Sequence, residues 1–318
     1  MDEQQYLRLR IKPLSAFGSV LKGDTLFGQL CWAVRNRFGE DRLLELLQGY
    51  VNGRPFVVLS DGLPEGYIPR PALPLHYFHL PARQDQKQLK RLAWIPSSVL
   101  TRPLEDWLLL AGTAQAKPAE PLVRLQPHNS IDRRSGTTGT GEGFAPYTLS
   151  QRWYADNAWL EIYAVLDTQR LSPDAFMTVL NDVGQFGFGR DASIGLGKFE
   201  LEYWETVSWP ESHSANAGLT LAPCAPQGLG LDSKRCFYNV FTRFGRHGDR
   251  AVHQANPFKA PVLLVETGAV LKPLLQQRFV GQGLGGSGQL SKVLPQTVHQ
   301  GYAPLVPIRL PELREART

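Results

Sequence analysis

Three stretches of this chain carry residues whose types and spacing suit a polyanion. The first runs from Phe186 to Lys198. Gly187, Gly189, Gly195 and Gly197 stand at alternate positions near its two ends, with Arg190, Ser193 and Lys198 among them. Glycine lets backbone N–H groups come against a phosphate with no Cβ in the way, and the cations and hydroxyl add charge and a further donor. The stretch lacks the Gly-Lys-Ser/Thr of a Walker loop, and it precedes a predicted strand where a dinucleotide fingerprint would follow one. The second stretch, from Arg278 and Phe279 onward, places Gly281, Gly283, Gly285, Gly286 and Gly288 within eight residues, with Lys292 just beyond. So many glycines predict a loop that a bound phosphate chain would order, because glycine loses the most backbone entropy on folding.

The third stretch is Pro127 to Arg134, leading into Ser135-Gly136-Thr137-Thr138-Gly139. His128, Asn129, Ser130, Arg133 and Arg134 surround one apolar residue, Ile131. Such a tip can wedge into an RNA strand with its arginines on phosphates. The same residues also suit an endoribonuclease, with His128 as general base or Asp132 as metal ligand. Acid–base cleavage of RNA needs two positioned groups, and no second histidine pairs with His128; His76 and His79, beside Tyr77 and Phe78, read as a structural aromatic patch. Candidates for stacking on bases are Tyr67, Phe144, Tyr147, Phe186, Phe188 and Phe279.

The elements that must position these residues follow from periodicity. Tyr6–Ile11 alternates apolar and basic residues as a half-buried strand. A helix follows, with Asp24 as its N-cap, Phe27, Leu30, Cys31, Val34 and Phe38 on its apolar face and Gly39 as its stop. Asp41–Gln48 extends the helical region, and Phe56–Leu59 is a second strand. Residues 64–150 hold eleven of the 24 prolines, a basic cluster (Arg83, Lys87, Lys90, Arg91) and a Gly/Thr/Ser tract over 135–143. They read as an irregular insertion, the usual form of a functional loop or lid. Regular structure resumes with a strand at Trp159–Leu166, a helix opened by Ser172 and Pro173, and a strand at Phe199–Trp204. Without the insertion, residues 1–205 give the ferredoxin-like split βαβ order that RNA-recognition modules share. Strands at Leu219–Ala222, Phe237–Phe241, Val262–Glu266 and Leu305–Leu310 predict a second, degenerate ferredoxin-like unit over 206–318. The expected class is therefore α+β, with two ferredoxin-like βαββαβ domains and an insertion in the first.

Charge is unevenly placed. The chain has 318 residues and a formal charge of +5; residues 1–205 are nearly neutral, whereas 206–318 carry 12 Lys and Arg against 6 Asp and Glu. Excess positive charge beside many glycines suits an acidic partner. Cys31, Cys224 and Cys236 are too far apart for a Cys-x-x-Cys unit, and three cysteines give no disulfide framework. The amino-terminal residues lack the basic and apolar regions of a signal peptide, and no apolar run approaches membrane-spanning length, so a cytoplasmic protein without membrane contact is expected. No cofactor or metal is expected.

Taken together, Gly187–Phe199, Lys22-Gly23-Asp24-Thr25-Leu26-Phe27-Gly28, Gly66-Tyr67-Ile68-Pro69-Arg70-Pro71 and His128–Arg133 before Gly136-Thr137-Thr138 resemble the RAMP (repeat-associated mysterious protein) superfamily of CRISPR systems. Within it they look like the Cas5-like fourth subunit of type III-A Csm effector complexes. The resemblance implies two ferredoxin-like domains and no nuclease activity of its own. It implies binding to the 5′ repeat-derived tag of the crRNA, and contacts with a large polymerase-type subunit and a backbone RAMP subunit. A thumb-like β-hairpin would bend the guide–target RNA duplex. His128–Arg134 and the insertion match that thumb; the two glycine segments, with Lys22 and Arg70, match the tag-binding cleft. Guide-processing RAMP endonucleases often carry a histidine after the first strand, where this chain has Lys12-Pro13-Leu14-Ser15. A RAMP endoribonuclease acting on crRNA or target RNA is the alternative expectation.

Overall fold

A computed structural model describes residues 4–80, 86–139, 144–210, 215–248, 257–272 and 277–311. Arg83 and residues 140–143 of the glycine-bearing tract lie outside them. Strand β1 (Gln4–Pro13) alternates as its sequence predicts, with Leu7, Leu9 and Ile11 fully buried on one face and Arg8 and Arg10 on the other. Helix α1 (Gly23–Phe38) turns Leu26, Phe27, Leu30 and Val34 to the core, and Gly39 ends it at φ 92°. The expected N-cap is displaced: Lys22 occupies the cap position, and Asp24 is buried within the first turn. Then come α2 (Glu40–Leu47), β2 (Val57–Leu59), β3 (Leu160–Asp167), α3 (Pro173–Phe186) and β4 (Phe199–Thr206). Ser172 caps α3 as expected, its hydroxyl accepting from the Ala175 N–H at 3.3 Å. The sheet order is β4-β1-β3-β2 with every neighbour antiparallel, which is the split βαβ order.

The insertion corrects the sequence reading. The described residues of 64–113 are not irregular: they form a small antiparallel strand pair (Tyr67–Pro69 with Trp94–Pro96), helices Gln86–Arg91 and Trp107–Thr113, and several short turns. Ile68, Tyr77, Ile95, Val99, Leu104, Trp107 and Leu108 pack into the main core. A long hairpin, Leu122–His128 with Tyr147–Trp153, is the exposed part.

The second half contributes a four-stranded antiparallel sheet, β5 (Ala217–Thr220), β6 (Val270–Leu271), β7 (Phe279–Gly285) and β8 (Val298–Ile308), in the order β6-β5-β8-β7. Its described residues contain no α-helix, so of the expected second βαββαβ unit only the sheet is seen. The two halves share one core, since Leu219, Val270, Tyr302 and Val306 join the cluster built from β1, α1 and α3. Two polar contacts seal that junction. The side-chain amide of buried Gln300 accepts from the Leu59 N–H at 2.9 Å and donates to the Leu59 carbonyl at 2.8 Å, standing in for a strand beside β2. Asp24 accepts from Arg243 Nε at 2.7 Å and lies 3.4 Å from His299 Nε2.

Burial alone would raise the Asp24 pKa; the nearby His299 ring and the Arg243 guanidinium outweigh it and hold the carboxyl at about 2. A folded-state pKa below the unfolded value adds stability that is present above about pH 4 and is lost as pH falls toward 2. A depression of that size corresponds to about 2–3 kcal/mol. Asp24→Asn should lose about that much at pH 7, and its urea midpoint should then change less than the parent's between pH 4 and 2.

Candidate nucleic-acid interface

The exposed hairpin and the first glycine segment meet on one short piece of chain, Leu14–Ser19, which follows β1. On one side, Leu14 N–H donates to the Lys198 carbonyl (2.8 Å), Lys198 N–H to Ser15 Oγ (2.9 Å) and Gly197 N–H to the Ala16 carbonyl (2.7 Å). On the other, Phe17 exchanges two 2.9 Å hydrogen bonds with Arg152 at the base of the hairpin. Arg190 closes the junction: its N–H donates to Ser19 Oγ at 3.1 Å, and its guanidinium donates to the Ser150 carbonyl at 2.6 Å. The arginine expected to hold a phosphate therefore ties the loop to the hairpin.

The glycines of this loop serve first to close it. Phe188 N–H donates to the Gly197 carbonyl at 2.8 Å, and a Cβ on Gly197 would lie 2.1 Å from the Phe188 carbonyl oxygen. The N–H groups of Gly187, Phe188, Arg190, Ile194, Gly195, Leu196, Gly197 and Lys198 all have partners inside the protein. Among the described residues, those of Gly189, Asp191, Ala192 and Ser193 have none shown. That leaves the crest around exposed Ser193 and Ile194, at the left-handed residue Asp191 (φ 64°), as the part of the backbone open to a phosphate. Phe186 and the Lys198 side chain are exposed beside it, whereas Phe188 is core.

The hairpin offers apolar and aromatic side chains to solvent, with Leu125 71% and Ile131 62% exposed. His128 stacks on Tyr147 at 5.3 Å with rings 10° from parallel. At the tip, Asp132 accepts from the Arg134 N–H at 2.9 Å through its carboxylate and from the Gly136 N–H at 2.8 Å through its carbonyl. Asn129 donates to Thr138 Oγ1 at 2.6 Å. Asp132 thus shapes the turn that projects Ile131, Arg133 and Arg134, all three exposed. Among the described residues no three His, Cys, Asp or Glu side chains are gathered to hold a metal.

The second glycine segment differs from its sequence reading. Up to Gly285 it is strand β7, paired with β8 from Phe279 opposite Pro304 to Gly285 opposite Val298, and Gly286 and Gly288 lie in the bend beyond it. Close approach explains its composition: a Cβ on Gly283 would lie 2.6 Å from the Tyr50 carbonyl. Gly281 and Gly286, both at positive φ, flank it, and Phe279 packs edge-on against Tyr302. Arg278 donates to the Gln4 carbonyl at the start of β1, while the first glycine segment lies past the end of that strand. Ten residues of strand span about 33 Å. Arg278 and the loop at 187–198 therefore do not line one compact cleft. Lys292 is exposed further along.

Lys22 and Arg70 sit between these regions. Lys22 donates to buried Asp61 at 2.6 Å and to Thr267 at 3.2 Å, tying α1 to the second half. Arg70 is half-buried, burial lowers its pKa, and its Nε has no hydrogen-bond partner among the described residues. Sequence reasoning missed Asp61, Arg243, His299 and Gln300. A charged residue on the apolar face of α1, Asp24, was the signal that a buried polar cluster existed.

The fold and the hairpin define an α+β protein with a split βαβ sheet, a projecting thumb and a second antiparallel sheet. No family model matches the sequence, and no curated protein does. Solved structures match over nearly the whole chain. A chain of a Csm1–Csm4 cassette in complex with pppApA superposes with TM-score 0.57 at 15% identity, covering 97% of this chain and 99% of its own. A Csm1–Csm4 cassette in complex with cA4 gives 0.60 at 12% identity, with the same coverage. A Csm3–Csm4 subcomplex of the type III-A CRISPR-Cas interference complex gives 0.57 at 14%, covering 96% and 99%. The chain has the fold of a Csm-complex subunit, in agreement with the family its motifs resemble, and Csm4 is the component named in all three. No helix among the described residues is long and apolar enough to cross a membrane.

Substitution should separate the two glycine roles. Gly195→Ala meets no neighbouring atom but sits at φ 96°, and should cost about 1 kcal/mol; Gly197→Ala adds a backbone clash and should cost clearly more. Thermal midpoints of the two variants check this.

Proposed function

We propose that this chain is a Csm4-like, non-catalytic RNA-binding subunit of a type III-A CRISPR effector complex. In this reading it holds the 5′ tag of the crRNA, contacts a large polymerase-type subunit and abuts a backbone RAMP subunit. Two ferredoxin-like halves would form its frame, the second reduced to a sheet. The observation that carries the reading is the thumb built on the hairpin Leu122–His128 with Tyr147–Trp153, exposed from Leu122 to Pro127 on its first strand and joined to the glycine loop through Arg190 and Phe17. A loop crest with open amides beside Lys198 can take phosphates. A tip with exposed Ile131, Arg133 and Arg134 can enter a strand where its path changes. The full-length likeness to chains of Csm assemblies supports the same partners.

Non-catalytic action fits the commitments of the two candidate groups: the Asp132 carboxylate organises the tip turn, and the His128 ring lies against Tyr147. With about five phosphates contacted, the log–log salt slope for single-stranded RNA should be roughly −3.5, so affinity falls on the order of 100-fold from 50 to 200 mM salt. Arg133→Ala with Arg134→Ala should weaken binding and flatten that slope by roughly 1 or more; filter binding across salt concentrations measures both. A slope near zero refutes the phosphate contacts. Incubation of repeat RNA with the purified chain, with and without Mg²⁺, should leave the RNA intact; cleavage lost in His128→Ala would establish the endoribonuclease reading instead.

A further inference from the structure

The sheet β4-β1-β3-β2 turns its other face away from α1 and α3, and in RNA-recognition modules that face takes bases. Here its two arginines are already matched, while Lys12 stands opposite Glu200 in the register and lies 5.7 Å from the Trp159 ring. Arg8 pairs with Glu161, at 3.4 Å, and with Glu205. Arg10 pairs with Glu65 at 2.7 Å and lies 3.9 Å above the Trp159 ring. Beyond these pairs, β4 carries Glu200 and Glu202, exposed and without an ion pair among the described residues. In a chain of net positive charge, this edge of the molecule is acidic.

The edge is also open. β4 pairs with β1 on one side and, among the described residues, has no strand on the other. Val207 N–H bonds to the Tyr6 carbonyl at 2.8 Å, so counting back by twos Glu205 and Tyr203 face β1, while the backbone groups of Trp204 and Thr206 point outward. Trp204 is 37% and Tyr203 39% exposed, which puts aromatic surface beside the free amides. An open edge of this length is a template for another strand unless something covers it.

We propose that the free edge of β4 docks an extended, lysine- or arginine-bearing segment of a protein partner, which adds to the sheet as a further strand. Backbone hydrogen bonds at Trp204 and Thr206 supply the pairing, and Glu200 and Glu202 select the charge of the incoming chain. Three occupants compete for the edge, and charge separates them. Ribonucleic acid is repelled by the unpaired Glu200 and Glu202. A second copy of the same edge would face glutamates with glutamates, which is destabilising across a strand pair. A basic protein segment meets no such penalty. This inference rests on the reading that the chain works within a multi-subunit assembly, and it separates the protein-facing side of the subunit from its thumb.

Amide hydrogen exchange on the full chain tests it in three states: alone, with single-stranded repeat RNA, and assembled with the large and backbone protein subunits. Trp204 and Thr206 should exchange rapidly alone and with RNA, and at least about 100-fold more slowly in the protein assembly. Glu200→Lys with Glu202→Lys should weaken that assembly about tenfold at low salt, with RNA affinity unchanged or higher. Both side chains are exposed, so an unchanged thermal midpoint confirms an intact fold. Fast exchange in the assembly, protection by RNA alone, unchanged assembly of the double variant, or no assembly with either protein overturns the proposal. Failure to bind RNA with protection in the assembly intact overturns only the RNA-binding reading.

Discussion

Six residues, Leu14 to Ser19, are hydrogen-bonded on both sides at once, and the arrangement of the candidate interface depends on them. Their backbone and hydroxyl groups accept the closing end of the glycine loop, while Phe17 pairs with Arg152 at the root of the thumb. Buried backbone groups are rarely left unpaired, so neither neighbour can move away without exposing donors that have no other partner. A Cβ on Gly18 would lie 2.3 Å from the Arg190 carbonyl, which shows how close the three pieces lie. The loop crest and the thumb root consequently form one rigid unit, and RNA held at the crest is held in a fixed relation to where the thumb leaves the body.

A second constraint fixes that unit within the molecule. β8 packs on α1, and its Gln300 completes the hydrogen bonding of β2 where another strand would otherwise be needed. The Asp24–Arg243–His299 cluster and the Lys22–Asp61–Thr267 contacts lie on the same junction. A buried carboxylate is tolerated there because an arginine and a histidine compensate its lost hydration. β4 ends at Thr206, but the core runs on past it, so the two halves act as one body.

The sequence made the first sheet legible where a strand alternates, as β1 does, or a helix carries its cap, as α3 does at Ser172: Tyr6–Ile11, Ser172–Pro173 and Phe199–Trp204 all fall where they were expected, to within a few residues. The thumb and the glycine loop were found from residue type. What was lost had physical causes. The described residues of 64–113 form pieces of two to seven residues held by tertiary packing of Ile68, Ile95 and Trp107, too short for any period to show. β7 was hidden because glycine is rare inside strands; its glycines answer to Tyr50 and Gly301, which are distant in sequence. Arg190 was read for its charge, whereas a carbonyl 40 residues away decided its use.

Electrostatics divides the surface in a way composition alone conceals. Burial raises the Glu161 pKa, against the lowering effects of the Tyr163 hydroxyl and Arg8, so the charge on this carboxylate depends on keeping both partners. A phosphate approaching Arg8 would have to displace a carboxylate from a partly desolvated pair, which is costly because the buried partner would be left unmatched. Arg133, Arg134 and the Lys198 side chain, by contrast, stand exposed with no acidic partner among the described residues. Arginines are thus paired on the sheet face turned from the helices and left free at the thumb tip, with Lys198 free beside the crest. Because an unmatched exposed cation gains from a phosphate while a matched one must first lose its partner, nucleic acid is directed to the thumb side, and the sheet face is left for contacts of another kind.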